Sequence, residues 1–347
     1  MPPSSSAPTP RVADDIPALI LANLGTPAAP TPRAVRSFLR EFLSDRRVIE
    51  MHPLLWRPVL EGVILRVRPR ASAAKYATVW RPGQEASRSG SPLMHYTERQ
   101  AELLQRELGE SVQVRIAMRY GQPALRHVMG ELMEAGCRRI ALIPLYPQYA
   151  ASSAGTVVDE AARFILASRD QPELRTIRSF ETAPAYIEAL ATALEQHWQV
   201  HGRPDPAAGE RLLLSFHSIP QAMHDAGDPY RSECERTAQL LSRRLDLPKG
   251  LAQLTFQSVF GPAAWIGPAT IDTVGELGRA GCPRLDVICP GFVSDCLETL
   301  EEINQLNRET FTTAGGGSFH YIPWGNDSDG AIAALAQQAR KVLAGWI

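Results

Sequence analysis

Short apolar runs alternate with longer amphipathic segments along almost the whole chain, and the alternation runs through twice. A short apolar run bounded by turn residues reads as a buried strand, and a longer stretch with apolar residues three and four apart reads as a helix. Strands are expected at 18–24, 112–118, 138–145, 175–179, 211–216, 254–258, 284–289 and 318–322. Helices are expected at 32–43, 97–108, 123–135, 156–168, 184–200, 229–245, 268–280, 296–312 and 330–344. Several of these helices carry Pro at or near their start, where a missing N–H costs nothing. Alternating β and α elements imply an α/β fold of parallel sheets with right-handed crossovers. A break at 179–184 separates two α/β halves, and two such halves facing each other make a cleft lined by strand C-termini.

The 347 residues are enough for about two domains, with 44% hydrophobic and 21% charged residues, as in a soluble globular enzyme. A net charge of −1 gives no reason to expect nucleic acid. The five cysteines form no CxxC pair, which argues against a zinc ribbon or a disulfide framework and for reduced thiols. Residues 1–15, rich in Pro and Ser, read as a disordered leader without a secretory h-region. No run reaches the length of a membrane span, so a cytoplasmic protein is expected.

The chemistry concentrates in two segments. The run Leu212-Leu213-Leu214-Ser215-Phe216 ends in His217, and a buried strand ending in His aims an imidazole out of the sheet edge. The second segment, Cys289 through Glu302, has the same form: a strand, a Pro-Gly turn, then a helix opening with Glu298, Glu301 and Glu302. One imidazole facing carboxylates points to a divalent metal, a proton transfer, or both. The plainer reading is a capping box, with Asp295 as N-cap and Glu298 as its partner. Against it, Glu298 and Glu302 are four apart on one helix face, where like charges repel unless they are used. The remaining histidines (His52, His95, His127, His197, His201, His224, His320) show no metal-ligand spacing and are assigned surface or core roles. The apolar stretch 48–67 reads first as a core helix and second as a peripheral membrane contact. Residues just past the strand ends are aromatic and polar together, as a flat apolar ligand with a few polar anchors requires. No GxGxxG or P-loop pattern occurs, which disfavours dinucleotides and nucleoside triphosphates.

Seven ordered signatures make the chain resemble the ferrochelatase family over nearly its whole length. They begin with Asn23-Leu24-Gly25-Thr26-Pro27, Gly90-Ser91-Pro92-Leu93, Met118-Arg119-Tyr120-Gly121 and Tyr146-Pro147-Gln148-Tyr149. They continue with Ser215 through Pro220 followed by Gly227-Asp228-Pro229-Tyr230, Phe256-Gln257-Ser258 with Gly261-Pro262 and Trp265, and Pro290 through Ile303. The resemblance implies two Rossmann-like domains with the active site between them, a chelatase-like architecture. The expected divisions are 16–180, 181–328 and a C-terminal helix in 329–347 packing back on the first domain.

The family inserts ferrous iron into a porphyrin to complete haem. By resemblance, His217 and Glu298 are the catalytic and metal-binding pair and Glu302 continues the acidic path. Leu24, Tyr120, Trp265 and Phe292 fall on positions lining the macrocycle pocket, while Arg119 either pairs with a propionate or is structural. The stretch at Leu54–Trp56 matches a lip over the pocket mouth. Iron and porphyrin are substrates, so no organic cofactor is expected. No cysteine follows Cys296, so no [2Fe-2S] cluster is expected. An apolar Leu24, where some relatives have Tyr, favours protoporphyrin IX over coproporphyrin III. The alternatives are a coproporphyrin-type enzyme, a cobalt-inserting relative, and a carrier of tetrapyrrole or metal that does not turn over.

Overall fold

The first strand, β1 (Ala18–Gly25), is buried on both faces from Ala18 to Ala22, which only a sheet covered on both sides allows. The computed structural model describes residues 16–84, 87–261 and 263–347. The expected leader 1–15, Pro262 of the sixth signature, and Glu85 and Ala86 lie outside the described residues.

Strand β1 pairs in parallel with β2 (Gln113–Tyr120) and β3 (Arg139–Pro144), and β3 pairs with β4 (Glu173–Thr176). The second sheet repeats the pattern with β5 (Arg211–His217), β6 (Ala252–Gln257), β7 (Arg284–Ile288) and β8 (Ser318–Ile322). The strand orders are β2-β1-β3-β4 and β6-β5-β7-β8. In each sheet the order reverses beside its first strand, so β1 and β5 end at the two switch points.

The period-two alternation of a strand divides the side chains cleanly. Leu19 and Leu21 of β1 join Leu212, Leu214 and Phe216 of β5 in one central apolar cluster. Ala18, Ile20 and Ala22 face a separate outer cluster, and Leu213, Leu285 and Val287 face another. The central cluster also takes Tyr186, Leu190 and Leu194 from helix Pro184–His201, with Leu335 and Ala339 from helix Asp329–Val342. The C-terminal segment reaches back to the first sheet, where Arg175 donates to the Ala344 carbonyl at 2.8 Å and stacks over Trp346.

Helix Pro32–Leu43 shows how the local sequence sets an element. Thr31 accepts from Ala34 N, Pro32 occupies the first turn, and Val35, Phe38, Leu39 and Leu43 form one buried stripe. The expected core helix in 48–67 is a different object. Helix Pro53–Val59, a π-helical turn Leu60–Ile64 and helix Leu65–Val79 follow one another, and only Leu60, Leu65, Pro69 and Ala73 are buried. Leu54 is 76% exposed, Leu55 68% and Val67 69%. One face packs into a core cluster with Phe38 and Leu39, while Leu54, Leu55, Val63 and Val67 on the rest of the stretch are exposed among charged residues, so the core reading holds for one face only. Helices expected to begin at Pro123 and Pro268 begin at Leu125 and Thr270 instead. Each of those prolines gives its carbonyl to a strand N–H, Met118 or Phe256, which keeps it outside the helix.

Candidate active site

His217 is the last residue of β5, in register with Gln257 at the end of β6. Its Nδ1 donates to the Ser218 carbonyl at 2.5 Å. A carbonyl only accepts, so Nδ1 carries the hydrogen and the lone pair resides on Nε2. The ring of Phe292 lies 6.5 Å from the imidazole, centroid to centroid.

The carboxylates come from an element that the sequence reading made a plain α-helix. Glu298–Asn307 is π-helical, followed by α-helix Arg308–Thr313. Such wide turns collect at functional sites because they re-aim side chains within a helix. Two side chains support the wide turn: Gln257 Nε2 donates to the Glu298 carbonyl at 2.9 Å, and Asn307 Nδ2 donates to the Glu302 carbonyl at 2.7 Å. Ser215 Oγ donates to Gln257 Oε1 at 2.7 Å and fixes the amide the right way round. The capping-box alternative does not hold. Asp295 accepts from Thr299 Oγ1, Tyr321 Oη and Asn326 Nδ2, and none of its hydrogen bonds among the described residues goes to Glu298 N.

Glu302 reaches across to the turn after β6. Ser258 donates both its N–H and its hydroxyl to the carboxylate, each at 2.6 Å. Ser258 has φ of 65°, a left-handed conformation uncommon outside glycine, which presents both donors together. Burial pushes the Glu302 carboxyl above the usual range and the charge of Glu298 adds to this, while the Ser258 bonds and the His217 imidazole pull it down. His217, Glu298 and Glu302 therefore share one electrostatic environment.

Three further groups, none singled out as a site residue, lie within reach of Glu298. Burial, then the Glu298 charge, raises the Cys296 thiol and the Tyr76 hydroxyl well above their usual values. Tyr146 is raised by burial first, and its hydroxyl is buried with no hydrogen-bond partner. An orphaned hydroxyl in a cleft is a group awaiting a ligand or water. Tyr146 stands in the fourth signature, whereas nothing in the sequence around Tyr76 marks it.

The expected pocket residues divide into two sets. Leu24 and Phe292, one from each half, pack against a common cluster of Leu93, Met94, Met118 and Cys296. Trp265 forms a bridge with Pro220, donates its indole N–H to Phe260 O, and sets its ring 4.7 Å from the Phe260 ring at a 52° tilt. Arg119 and Tyr120 are tied into a buried network instead. Arg119 donates to Asp45 and, through Nε, to Thr156 Oγ1 at 2.7 Å, while Tyr120 donates to Asp45 at 3.0 Å. Burial opposes the Asp45 charge, but the bonds from Thr156 and the Arg47 N–H, with the Arg119 charge, hold its carboxyl below the usual range. Of the two roles left open for Arg119, these contacts describe the structural one. Asp45, buried and central to the network, carried no signal in the sequence.

The lip spans the cleft. Lys75 pairs with Glu301 at 2.8 Å, and the Arg68 guanidinium lies 5.1 Å over the Phe260 ring. Glu301 thus faces the lip while Glu298 and Glu302 face the cleft, which separates three acids that adjacency alone grouped together.

A family model described as Ferrochelatase matches residues 17–343. A ferrochelatase of Aromatoleum aromaticum is 50% identical over 333 residues, covering 95% of this chain and 88% of that protein. One from Dechloromonas aromatica is 49% identical over 332 residues, with 95% and 88% coverage. Among solved structures, SirB from Bacillus subtilis with Fe3+ superposes with a TM-score of 0.52 at 16% identity, covering 73% of this chain and 92% of that one. At that identity the likeness concerns the fold alone, which here is two four-stranded parallel sheets of one strand order.

Proposed function

The chain belongs to the ferrochelatase family, lyases that insert ferrous iron into a porphyrin in haem biosynthesis, and we propose that its porphyrin is protoporphyrin IX. The observation that supports this choice is the apolar wall presented by half-buried Leu24 and Phe292, backed by the buried cluster of Leu93, Met94, Met118 and Cys296. Coproporphyrin III carries two more propionates than protoporphyrin IX. Carboxylates pressed against such a wall lose water without gaining a partner, which costs several kcal/mol or forces protonation.

In this reading, His217 Nε2 and the Glu298 carboxylate meet the metal and the pyrrole protons. Insertion releases two protons per turnover, and an imidazole with a free Nε2 lone pair accepts a proton or a metal, one at a time. Ferrous iron suits an imidazole–carboxylate set. Glu302, held by Ser258, continues the acidic path away from the ring. Tyr76, Tyr146 and Trp265 form aromatic walls that favour a bent macrocycle, in which the nitrogen lone pairs open toward the metal.

The test is anaerobic insertion followed by the absorbance change from free base to haem, with protoporphyrin IX and coproporphyrin III run in parallel. Protoporphyrin IX is expected to turn over with the higher kcat/KM. His217→Ala is expected to lose insertion by at least about a hundredfold while still binding porphyrin. Preference for coproporphyrin III would overturn the substrate assignment, and near-normal turnover by His217→Ala would overturn the site.

A further inference from the structure

A second group of imidazoles lies away from the cleft. Helix Pro184–His201 ends with His197 and His201 four residues apart, and β8 brings His320 beside them. The ring centroids are 4.4 Å apart for His197 and His201, 4.9 Å for His197 and His320, and 4.8 Å for His201 and His320. We propose that these three histidines form a site for a divalent first-row transition ion of the zinc or cobalt class, distinct from the iron that is the substrate.

Three observations carry the proposal. The first is spacing. Two histidines at i and i+4 share one helix face and chelate a single ion. Imidazole nitrogens bind zinc at about 2.0–2.1 Å, which puts the centroids of three rings on one tetrahedral ion roughly 5 Å apart. The second is Asp286, fully buried on the inner face of β7. Its Oδ1 accepts from His320 Nδ1 at 3.0 Å. That bond places the hydrogen on Nδ1 and leaves Nε2 of His320 as the ligand atom, the carboxylate–imidazole relation that orients metal-binding histidines. Arg284 donates to both Asp286 oxygens and Trp198 to Oδ2, so the carboxylate is fixed and its charge is offset. The third is His197, whose Nε2 is buried with no hydrogen-bond partner and stands 3.8 Å from Asp286 Oδ1. A buried imidazole nitrogen without a partner is uncommon unless something else occupies it.

The electrostatics agree. Burial lowers the His197 pKa, and the imidazoles of His201 and His320 lower it further against the pull of Asp286. The rings of His197 and His201 are 28° from parallel, so closure on an ion turns the exposed His201 ring about its Cβ–Cγ bond. The negative end of the helix dipole lies at this same turn and favours a cation. The group is not part of the substrate site. Asp286 is level with Leu212 in the sheet, five residues before His217, or roughly 16 Å along the strand.

The experiment is a titration of the full-length protein, free of porphyrin, with Co2+ under anaerobic conditions. Stoichiometry is read by equilibrium dialysis and the ligand field by visible absorption. The wild type is expected to take up an equivalent with the intense visible bands of a four-coordinate nitrogen site. His201→Ala, at an exposed position that leaves the fold intact, is expected to weaken that equivalent by at least about tenfold. His197→Ala is expected to do the same, with circular dichroism as the folding control. His217→Ala is expected to leave the equivalent in place, and iron insertion by His201→Ala is expected to match the wild type. Superimposable titrations of wild type and His201→Ala, or uptake that disappears with His217→Ala alone, would overturn the proposal.

Discussion

Glu302 shows how one side chain links stability to chemistry. Burial is the largest influence on it and favours its neutral form, so the folded chain holds this proton more readily than the unfolded chain does. With a folded pKa above the unfolded value, folding gains from this group at low pH. The gain is lost as pH rises from the ordinary glutamate range, about 4.3, through the folded value. Glu302→Gln keeps an acceptor for the Ser258 N–H and removes the titration. The melting temperature of the variant minus that of the wild type is therefore expected to increase from pH 4.5 to pH 8, while insertion slows by on the order of a hundredfold. A difference that stays flat with pH would mean that the carboxyl is not held neutral by burial. The strand-end placement of His217 was legible because an apolar run leads directly into it, and the helical placement of the glutamates because a Pro-Gly turn and an amphipathic segment follow β7. Their supports were not: Ser258 and Gln257 act through backbone geometry and amide orientation, which no local pattern encodes. The cluster of His197, His201 and His320 was not legible for another reason. The four-residue spacing of His197 and His201 was present, but the third ring arrives from β8, far along the chain.

At the scale of elements, the strands were the most legible part, because a fully buried parallel strand is written as an unbroken apolar run. The helix carrying the carboxylates was placed correctly but given the wrong winding, since its wide turns go with side-chain bonds from Gln257 and Asn307 to the Glu298 and Glu302 carbonyls, which no helical periodicity encodes. The lip misled for a physical reason: apolar content signals burial only when a partner exists for each apolar face. Leu54, Leu55, Val63 and Val67 face solvent, with exposed Arg57, Arg66 and Arg70 interspersed. No helix of the described residues is long and apolar enough to cross a membrane. The lip has the composition of an interfacial helix, apolar contacts ringed by arginines that suit anionic headgroups. We expect the protein to co-sediment with vesicles containing phosphatidylserine and to do so less in high salt. The double variant Leu54→Glu, Leu55→Glu is expected to stay in the supernatant. Equal sedimentation of variant and wild type would show that the lip is not the contact.

Across the whole molecule, the two sheets repeat one strand order, yet they do not stand as independent units. The central cluster takes strands from both sheets and the two helices Pro184–His201 and Asp329–Val342. Polar groups cross between the halves as well. Gln148, after β3, donates to Tyr186 Oη at 3.0 Å and to Thr237 at 2.9 Å, and Tyr186 Oη donates to the Pro290 carbonyl at 2.9 Å. Gln100 donates to the carbonyls of Val293 and Asn326, and Glu233, buried in the second half, accepts from Tyr149 N and Arg178. A duplicated sequence pattern suggests two separable domains, but a shared core makes unfolding of one half expose the other. Calorimetry is therefore expected to give one transition, not two. Tyr186→Phe tests the coupling, since it strands the Pro290 carbonyl and one partner of the Gln148 amide at a cost of about 1–3 kcal/mol. If the halves are one unit, the variant's single transition moves down without splitting. Insertion also slows, because Pro290 begins the turn that carries Phe292 and leads to Glu298. A second transition in the variant, with one half melting at its original temperature, would show that the halves fold independently and that the shared cluster is only an interface between them.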